Sequence, residues 1–291
     1  FVKYFYINIF NAQYYNIIYM KKNKITFWGV RGSFATPDLD KMNFGGDTSC
    51  VSLETDNQIM ILDMGSGARN LGRYIISNPN SPKILNIFLS HYHWDHMLGF
   101  LSFAPLFSNE YEINIYGKKD RLHLKDIINH MLDPIFWPAS YDHFNAKLNF
   151  HNIDDKISLS ENLVVESQIH NHPNDAFSYN ILFDNKKVTY ITDCEYISGE
   201  INQKLIDFAK NADLLIHDSH FTKEDLPDHK GWGHSSWNQA ITMAQKSNSK
   251  QLALYHYNPD YDDKKINLIE KHAQKIFKQT IAPKQGLVIY L

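Results

Sequence analysis

The chain has 291 residues, with 29 Lys and Arg against 32 Asp and Glu and a formal net charge of −3. A chain of this length can bury a large core within one domain. Because it lacks the basic excess of proteins that grip a long nucleic acid, we expect a small-molecule substrate and no long nucleic acid as partner. Two cysteines, Cys50 and Cys194, cannot form a disulfide framework, which predicts buried thiols in a reducing compartment and a cytoplasmic location.

The first nineteen residues form a segment rich in Tyr, Ile, Asn and Phe. Polar residues interrupt it, so it holds no apolar run of about 18 residues that could span a membrane. It also lacks the basic start and the small-residue cleavage site of a signal peptide. We therefore expect residues 1–19 to be a leader outside the fold, and residues 20–291, starting at Met20, to be a single domain without membrane contact. An aromatic arm that tethers the chain to a membrane is the alternative.

Short apolar runs bounded by Gly, Asn, Asp and Pro predict strands, and runs with a 3.6-residue period predict helices. In the first half these are strands at residues 25–30, 50–55 and 58–62, a helix at 68–77, a strand at 84–89 and a helix at 120–132. In the second half they are strands at 163–169, 179–183 and 188–192, a helix at 201–211, a strand at 214–217, a helix at 236–246, a strand at 252–256 and a helix at 262–278. Two such halves predict an α/β fold, an αββα sandwich of two mixed sheets face to face with helices outside.

Four side chains that can bind a metal lie within six residues, in the segment His91-Tyr92-His93-Trp94-Asp95-His96. The apolar run at residues 84–89 leads directly into this segment. The segment therefore lies on a loop at a strand's end, where a rigid sheet can hold a metal. Imidazole nitrogens and a carboxylate oxygen suit Zn²⁺, with Mn²⁺ or Fe as competitors. The alternative interpretation is a group of surface histidines beside an acid.

The H-x-H-x-D-H pattern of residues 91–96 resembles the metallo-β-lactamase superfamily. Further motifs resemble its phosphodiesterase branch, which includes RNase Z and the phosphodiesterases of phosphoribosyl 1,2-cyclic phosphate and of cyclic nucleotides. They are GVRGS at 29–33, FGGDTSC at 44–50, LDMGSG at 62–67, HP at 172–173, TD at 192–193, HD at 217–218, GWGHSS at 231–236 and LYHYNP at 254–259. In two departures, Asp47 stands where many relatives carry Asn, and Asn174-Asp175 replace a common Gly-Gly. They affect the expected substrate preference more than metal binding.

The resemblance implies two divalent metal ions, zinc by preference with manganese as the alternative. It places one metal on His91, His93 and His172 and the second on Asp95, His96 and His256, with Asp193 as the bridge. In the second half of the chain each implied ligand follows a predicted strand, so these loops are expected to converge on one rim. His170 competes with His172 for the third ligand position. We choose His172 because the family places this ligand directly before Pro or Gly.

A phosphodiesterase also needs a general acid, because the leaving oxygen must be protonated as the P–O bond breaks. The resemblance points to His234 as this acid, with Asp218 at a strand end orienting it and raising its pKa. Asp95 completes the predicted catalytic set. The alternative for His234 is an ordinary glycine-flanked loop histidine.

Residues near these motifs receive supporting roles. Asp63 is predicted to accept a hydrogen bond from a ligand histidine or to fix the loop at residues 91–96. For Ser235 and Ser236 we favour N-capping of the following helix over catalysis. A supporting role stays open for the flanking histidines at positions 217, 220 and 229.

The segment at residues 131–144 is dense in aromatic residues and has neither a helical nor a strand period. It could close over the pocket and stack on a base, an interaction worth roughly 1–3 kcal/mol per base. The alternative is a hydrophobic plug that covers a sheet edge. The sequence leaves the two equally open.

These motifs together predict a binuclear metal-dependent phosphodiesterase for a small, cyclic phosphodiester, either a cyclic nucleotide or a ribose cyclic phosphate. A thioester hydrolase of the glyoxalase II type and an RNase Z-like ribonuclease are the alternatives. The short connection between His172 and Asp193 disfavours tRNA maturation, because RNase Z proteins commonly carry a long protruding arm in that region. The resemblance also makes a homodimer an expectation.

Overall fold

The computed structural model describes residues 5–6, 23–197 and 199–291. Most of the predicted leader, and its boundary at Met20, lie outside these residues. Within it the structure describes only the two-residue strand β1 (Phe5–Tyr6), which pairs antiparallel with residues 287–288. The division of the chain into a leader and one domain therefore stays a prediction.

The regular elements of the described residues follow one another in two series. The first comprises β2 (Lys24–Gly29), β3 (Cys50–Glu54), β4 (Gln58–Leu62), α1 (Ala68–Ser77), β5 (Ile84–Phe88), β6 (Glu112–Gly117), α2 (Leu124–Met131), β7 (Lys147–Asn152) and β8 (Lys156–Ser160). The second comprises β9 (Leu163–His170), β10 (Ala176–Phe183), β11 (Lys186–Ile191), α3 (Gln203–Ala209), β12 (Leu214–Asp218), α4 (Trp237–Lys246), β13 (Leu252–Tyr255), α5 (Asp263–Ile276), β14 (Thr280–Ile281) and β15 (Leu287–Tyr290).

The strands form two mixed sheets. The first has the order β1-β15-β2-β3-β4-β5-β6-β7 and the second the order β14-β13-β12-β11-β10-β9-β8. From β4 to β7 and from β11 to β14 the neighbouring strands run parallel, whereas the remaining pairs are antiparallel. In a run of parallel strands the carboxyl ends meet at one edge, so the loops after β4, β5, β11, β12 and β13 are available to build a site.

Two apolar clusters hold the layers together. Successive side chains of a strand belong to different clusters, because they point to opposite faces of the sheet. In β4, Met60 and Leu62 face the second sheet, whereas Ile59 and Ile61 face α1. The first cluster also joins the second sheet to α3, α4 and α5, while the second lies under α1 and α2. Each layer is therefore apolar on the side that faces its neighbour, as a sandwich requires.

The predicted fold class, an αββα sandwich of two mixed sheets with helices outside, is confirmed. All predicted strands and helices are present, with ends shifted by up to four residues. The sequence patterns did not predict β6, β7, β8, β14 and β15. Strands β7 and β8 lie at the outer edges of their sheets and carry many polar residues, so they lack the apolar runs that identify strands.

Cys50 and Cys194 are both buried and free, as predicted. Within the described ranges, none of the helices combines the length and apolar character needed to cross a membrane. The segment at residues 131–144 serves in part as a plug: Trp137, Tyr141 and Phe144 pack against the cluster under α1 and α2.

Candidate metal centre

The predicted site residues meet at the carboxyl ends of the strands. The loop after β5 carries the segment at residues 91–96, which ends in a short 3-10 turn, Trp94–His96. Asp193 follows β11 and His256 follows β13, which flank β12 in the second sheet. Three groups of possible ligand atoms result: His91 with His93 and His172; Asp95 with His96, Asp193 and His256; and His220 with His234 and His256.

Three residues of this rim have left-handed backbones without being glycine. Asp63, Asp193 and His256 have φ angles of 61°, 51° and 60°. Such conformations cost free energy in non-glycine residues and persist where the surrounding structure holds them. Here they turn the chain at the ends of β4, β11 and β13.

The cluster of Asp95, His96, Asp193 and His256 has the dimensions of a tetrahedral metal site. Nε2 of His96 lies 3.2 Å from an oxygen of Asp95, 3.2 Å from Oδ1 of Asp193 and 3.2 Å from Nε2 of His256. Nε2 of His256 lies 3.1 Å and 3.2 Å from the same two oxygens. Ligand atoms at the corners of a tetrahedron with bonds near 2.0 Å stand about 3.3 Å apart. These four residues thus fit a divalent metal ion.

The second cluster, of His91, His93 and His172, shares Asp193 with the first. Nδ1 of His93 lies 3.0 Å from Nε2 of His172. Oδ2 of Asp193 lies 3.8 Å from Nε2 of His91 and 3.8 Å from Nε2 of His172. Asp193 therefore turns Oδ1 to one cluster and Oδ2 to the other, as a bridging carboxylate would.

The protonation states of the second cluster and of Asp193 suit metal binding, because ligands must be neutral imidazoles or carboxylates. Burial lowers the pKa of His91 and of His93, and it lowers the pKa of His172 to about 4. Burial favours the neutral acid in Asp193, but His256 and His96 outweigh it and hold the pKa of that carboxyl well below its usual range. Nε2 of His91 is buried without a hydrogen-bond partner among the described residues, which a metal bond would satisfy.

Hydrogen bonds on the far side of the rings fix their orientation. Nδ1 of His172 donates to the carbonyl of Gly233 at 2.9 Å, and Nδ1 of His91 lies 3.0 Å from the hydroxyl of Ser90. In both cases Nε2 is left free to face the cluster. The Nε2 atom of His170 instead lies 3.0 Å from the carbonyl of Thr192, so His170 is not part of the group that contains His172.

Asp63 holds the loop at residues 91–96 from below, as the sequence predicted. Its carboxylate lies 2.8 Å from Nδ1 of His96 and accepts the backbone N–H of Ser90 at 2.7 Å and the hydroxyl of Tyr190 at 2.8 Å. Burial opposes a charged imidazole, but Asp193, Asp95 and Asp63 outweigh it and raise the pKa of His96 well above its ordinary value.

Replacing Asp63 by Asn is expected to weaken zinc binding by about 10- to 100-fold, because His96 loses the carboxylate that orients its ring. Competition with a chromogenic chelator measures this affinity. Asp47→Asn is the matched control, since Asp47 is bonded by Ser66, Asn70 and Gln285 and by no clustered histidine. Equal zinc affinity in Asp63→Asn and the parent protein would contradict the role given to Asp63.

The predicted acid and its partner lie beside both clusters. Nδ1 of His234 is 3.1 Å from Oδ2 of Asp218 and 3.9 Å from Oδ2 of Asp193. Burial opposes the charged ring, but Asp218 and then Asp193 outweigh it and raise the pKa of His234. Asp218 also accepts the backbone N–H groups of Cys194 and Ser235, so the carboxylate cannot turn away.

Neighbouring polar residues act as expected or add to the site. Ser236 caps α4 through its side chain, as predicted. The prediction of capping by Ser235 is wrong, since its hydroxyl donates to the carbonyl of Cys194. The backbone N–H of Ser33 donates to Oδ2 of Asp95 at 2.8 Å, a contact that sequence reasoning missed. The ring of His220 stacks on that of His234, with the ring centres 4.2 Å apart. The sequence left a supporting role open for His220, which follows the end of β12 by two residues.

The two departures from the family pattern do not lie among the clustered side chains. The carboxylate of Asp47 accepts hydrogen bonds from the side chains of Asn70, in α1, and Gln285, and so links these two parts of the chain. Asn174 and Asp175 have φ angles of 66° and 59°, the left-handed conformation that glycine adopts most easily. Asn and Asp are among the non-glycine residues that tolerate this conformation best.

The chain is similar to known proteins in sequence and in fold. The sequence model of the beta-lactamase superfamily domain matches residues 64–257. Ribonuclease Z of Thermoplasma acidophilum is 26% identical over 307 residues, which span 90% of this chain and 94% of that protein. The metallo-β-lactamase fold protein YhfI of Bacillus subtilis has a TM-score of 0.71 at 19% identity, covering 93% of this chain and 100% of that one. The short form of human tRNase Z has a TM-score of 0.66 at 20% identity, covering 91% and 98%. The two solved structures share the fold.

Proposed function

The chain belongs to the beta-lactamase superfamily domain family and is a metal-dependent hydrolase, and on this premise we propose that it is a binuclear phosphodiesterase for a small, cyclic phosphodiester. The proposed metal ligands are His91, His93 and His172 for one ion, Asp95, His96 and His256 for the other, and Asp193 between them. The observation that carries the proposal is the hydrogen bond of His234 to Asp218 at the edge of both clusters.

A pair of divalent ions makes water a nucleophile at neutral pH and neutralises charge on phosphate oxygens. The side chains of the protein supply the rest. Since Nδ1 of His234 is engaged by Asp218, Nε2 is the nitrogen that can give a proton to the leaving oxygen. Asp218 is itself held by three backbone N–H groups, those of Cys194, His220 and Ser235, and it fixes the ring and favours its charged form.

A small substrate is supported by the short connection between His172 and Asp193. It consists of the antiparallel strands β10 and β11, joined by the two-residue turn Asp184-Asn185. Both turn residues have positive φ angles, 46° and 60°, as the tightest hairpins require. No arm for a large RNA is inserted between residues 172 and 193, all of which the structure describes.

An RNase Z-like ribonuclease is the second candidate. The observation that favours it is the identity of 26% to ribonuclease Z of Thermoplasma acidophilum over 90% of this chain. Under this alternative the expectation that no long nucleic acid is bound would fail. A thioester hydrolase of the glyoxalase II type would use the same ligands but has no need of the pair formed by His234 and Asp218.

Zinc is the proposed metal, because the clusters offer imidazole nitrogens and carboxylate oxygens at tetrahedral spacing. Manganese is the alternative, since it accepts the same ligands. The buried free thiols of Cys50 and Cys194 support a reducing compartment, and we propose a cytoplasmic location. The homodimer stays a prediction.

The proposal is tested with a panel of substrates and the zinc-loaded protein. The panel comprises a nucleoside 2′,3′-cyclic phosphate, a ribose cyclic phosphate, bis(p-nitrophenyl) phosphate, a precursor tRNA with a 3′ trailer and S-lactoylglutathione. We expect turnover of the small phosphodiesters and none of the thioester. Thioester cleavage without phosphodiester cleavage would overturn the proposal, and a kcat/KM for precursor tRNA far above that for every small ester would move the assignment to the second candidate.

A further inference from the structure

An apolar cleft is lined in part by the loop that carries the proposed metal ligands. We call it the aromatic cleft. It has a volume of about 460 Å³ and is lined by Tyr92, Trp94, Leu122, Ile127, His130, Met131 and Phe136. This volume falls in the range of roughly 300–1,000 Å³ that is typical of sites for small molecules.

The aromatic cleft and the metal centre share the loop at residues 91–96, through Trp94. This residue lies between the proposed ligands His93 and Asp95, and its side chain is 60% exposed. Tyr92, on the same loop, donates its hydroxyl to the carbonyl of Lys118 and is thereby fixed. The cleft is therefore the apolar surface next to the proposed ligands along this loop.

The other wall comes from the segment at residues 131–144. Trp137, Tyr141 and Phe144 anchor this segment on the apolar cluster under α1 and α2. Phe136 instead is 74% exposed and lines the aromatic cleft. An exposed aromatic ring held by an anchored segment is poised to contact a ligand, because little conformational entropy remains to be lost on binding.

The lining indicates the chemistry of the occupant. Among the described residues that form the cleft, none is Lys or Arg, so a phosphate group or an RNA backbone would find no counter-charge there. A bare sugar would need several hydrogen-bonding groups, yet apart from the engaged hydroxyl of Tyr92 the lining offers His130 and the indole N–H of Trp94. A nucleobase has flat apolar faces and a polar edge, and it fits rings, aliphatic side chains and a few hydrogen-bonding groups.

We propose that the aromatic cleft holds the nucleobase of the substrate, so that the enzyme prefers nucleoside cyclic phosphates to cyclic phosphates of the sugar alone. This inference rests on the proposed phosphodiesterase function and narrows its substrate class. Phe136 and Leu122 are the residues that set the preference, since they line the cleft without belonging to the metal loop.

The test compares kcat/KM for adenosine 2′,3′-cyclic phosphate with that for the 2′,3′-cyclic phosphate of 1-O-methylribose, which has no base. The zinc-loaded parent protein is expected to prefer the adenosine ester by about tenfold or more, and Phe136→Ala and Leu122→Ala are each expected to reduce that ratio severalfold. Ile135→Ala is the matched control. Its side chain is 84% exposed, next to Phe136 in sequence and outside the cleft, so the ratio should not change.

A ratio near one in the parent protein, or a ratio that Phe136→Ala leaves unchanged, would overturn the inference. The inference would also fail if Phe136→Ala only dissociated a dimer in sedimentation, since a second copy would then occupy the cleft.

Calorimetric binding of adenosine 3′-monophosphate and of ribose 5-phosphate separates this inference from the proposed function. If neither ester were hydrolysed but Phe136→Ala removed a base-dependent gain in affinity, the function would fail and the cleft assignment would stand. Absence of that gain would overturn the cleft assignment as well.

Discussion

Replacing His234 by Ala is expected to lower the turnover of alkyl phosphodiesters by roughly 10²–10⁴-fold while leaving the metal content unchanged. An alkoxide is a poor leaving group and needs a proton, which the ring held by Asp218 is placed to give. Nitrophenolate leaves without a proton, so the turnover of bis(p-nitrophenyl) phosphate by His234→Ala should fall much less. Steady-state kinetics with both ester types, together with elemental analysis of each protein, measures the effect.

Ser236→Ala is the control for this variant, because Ser236 lies two residues away in the same loop and caps α4 instead of meeting a substrate. It is expected to cost about 1 kcal/mol of stability and to leave the dependence on leaving group intact. Equal losses with alkyl and nitrophenyl esters in His234→Ala would show that His234 serves structure or binding.

Replacing Arg31 by Met is expected to destabilise the protein by roughly 2–5 kcal/mol. The guanidinium of Arg31 is fully buried and donates to the carbonyls of Gly45 and Tyr261 at 3.0 and 2.7 Å. The carboxylate of Asp263 stands 3.9 Å from it. Without the guanidinium, buried carbonyls lose their donors, and the loop that carries His256 loses one of its ties to the residues after β2.

Denaturant unfolding of the metal-free protein measures this loss without the contribution of bound ions. Arg69→Met is the control, since Arg69 is exposed on α1 and its replacement should change stability by no more than about 0.5 kcal/mol. Arg31→Lys should also be destabilised, because one ammonium cannot reach carbonyls on separate loops. Stability of Arg31→Met equal to that of the control would contradict the role given to the buried guanidinium.

Much of the fold could be predicted because its core strands carry local signals. Apolar runs that end before a small or acidic polar residue marked β4, β5 and β11. Strand β6 was missed although Ile113 and Ile115 alternate with polar neighbours, and β15 was missed although it is an apolar run. Their assignment depends on pairing with distant strands, which the local pattern does not contain.

The candidate site was predictable where its residues are contiguous or follow a strand. The segment at residues 91–96 is compact in sequence, so its grouping needed no knowledge of the fold. The aromatic cleft was harder to foresee, because Leu122 and Phe136 lie on either side of α2 and meet Trp94 only in the folded chain. The burial of Arg31 was equally hidden, since charged residues are rarely buried and the carbonyls that accept its hydrogen bonds are distant in sequence.

The central claim, a pair of metal ions that share Asp193, is tested most directly by counting the ions. The measurement is plasma mass spectrometry of the full chain after purification in zinc-supplemented buffer and removal of loosely bound metal. We predict two zinc ions per chain, held by the two clusters that meet at Asp193. One ion or none per folded chain would contradict the claim.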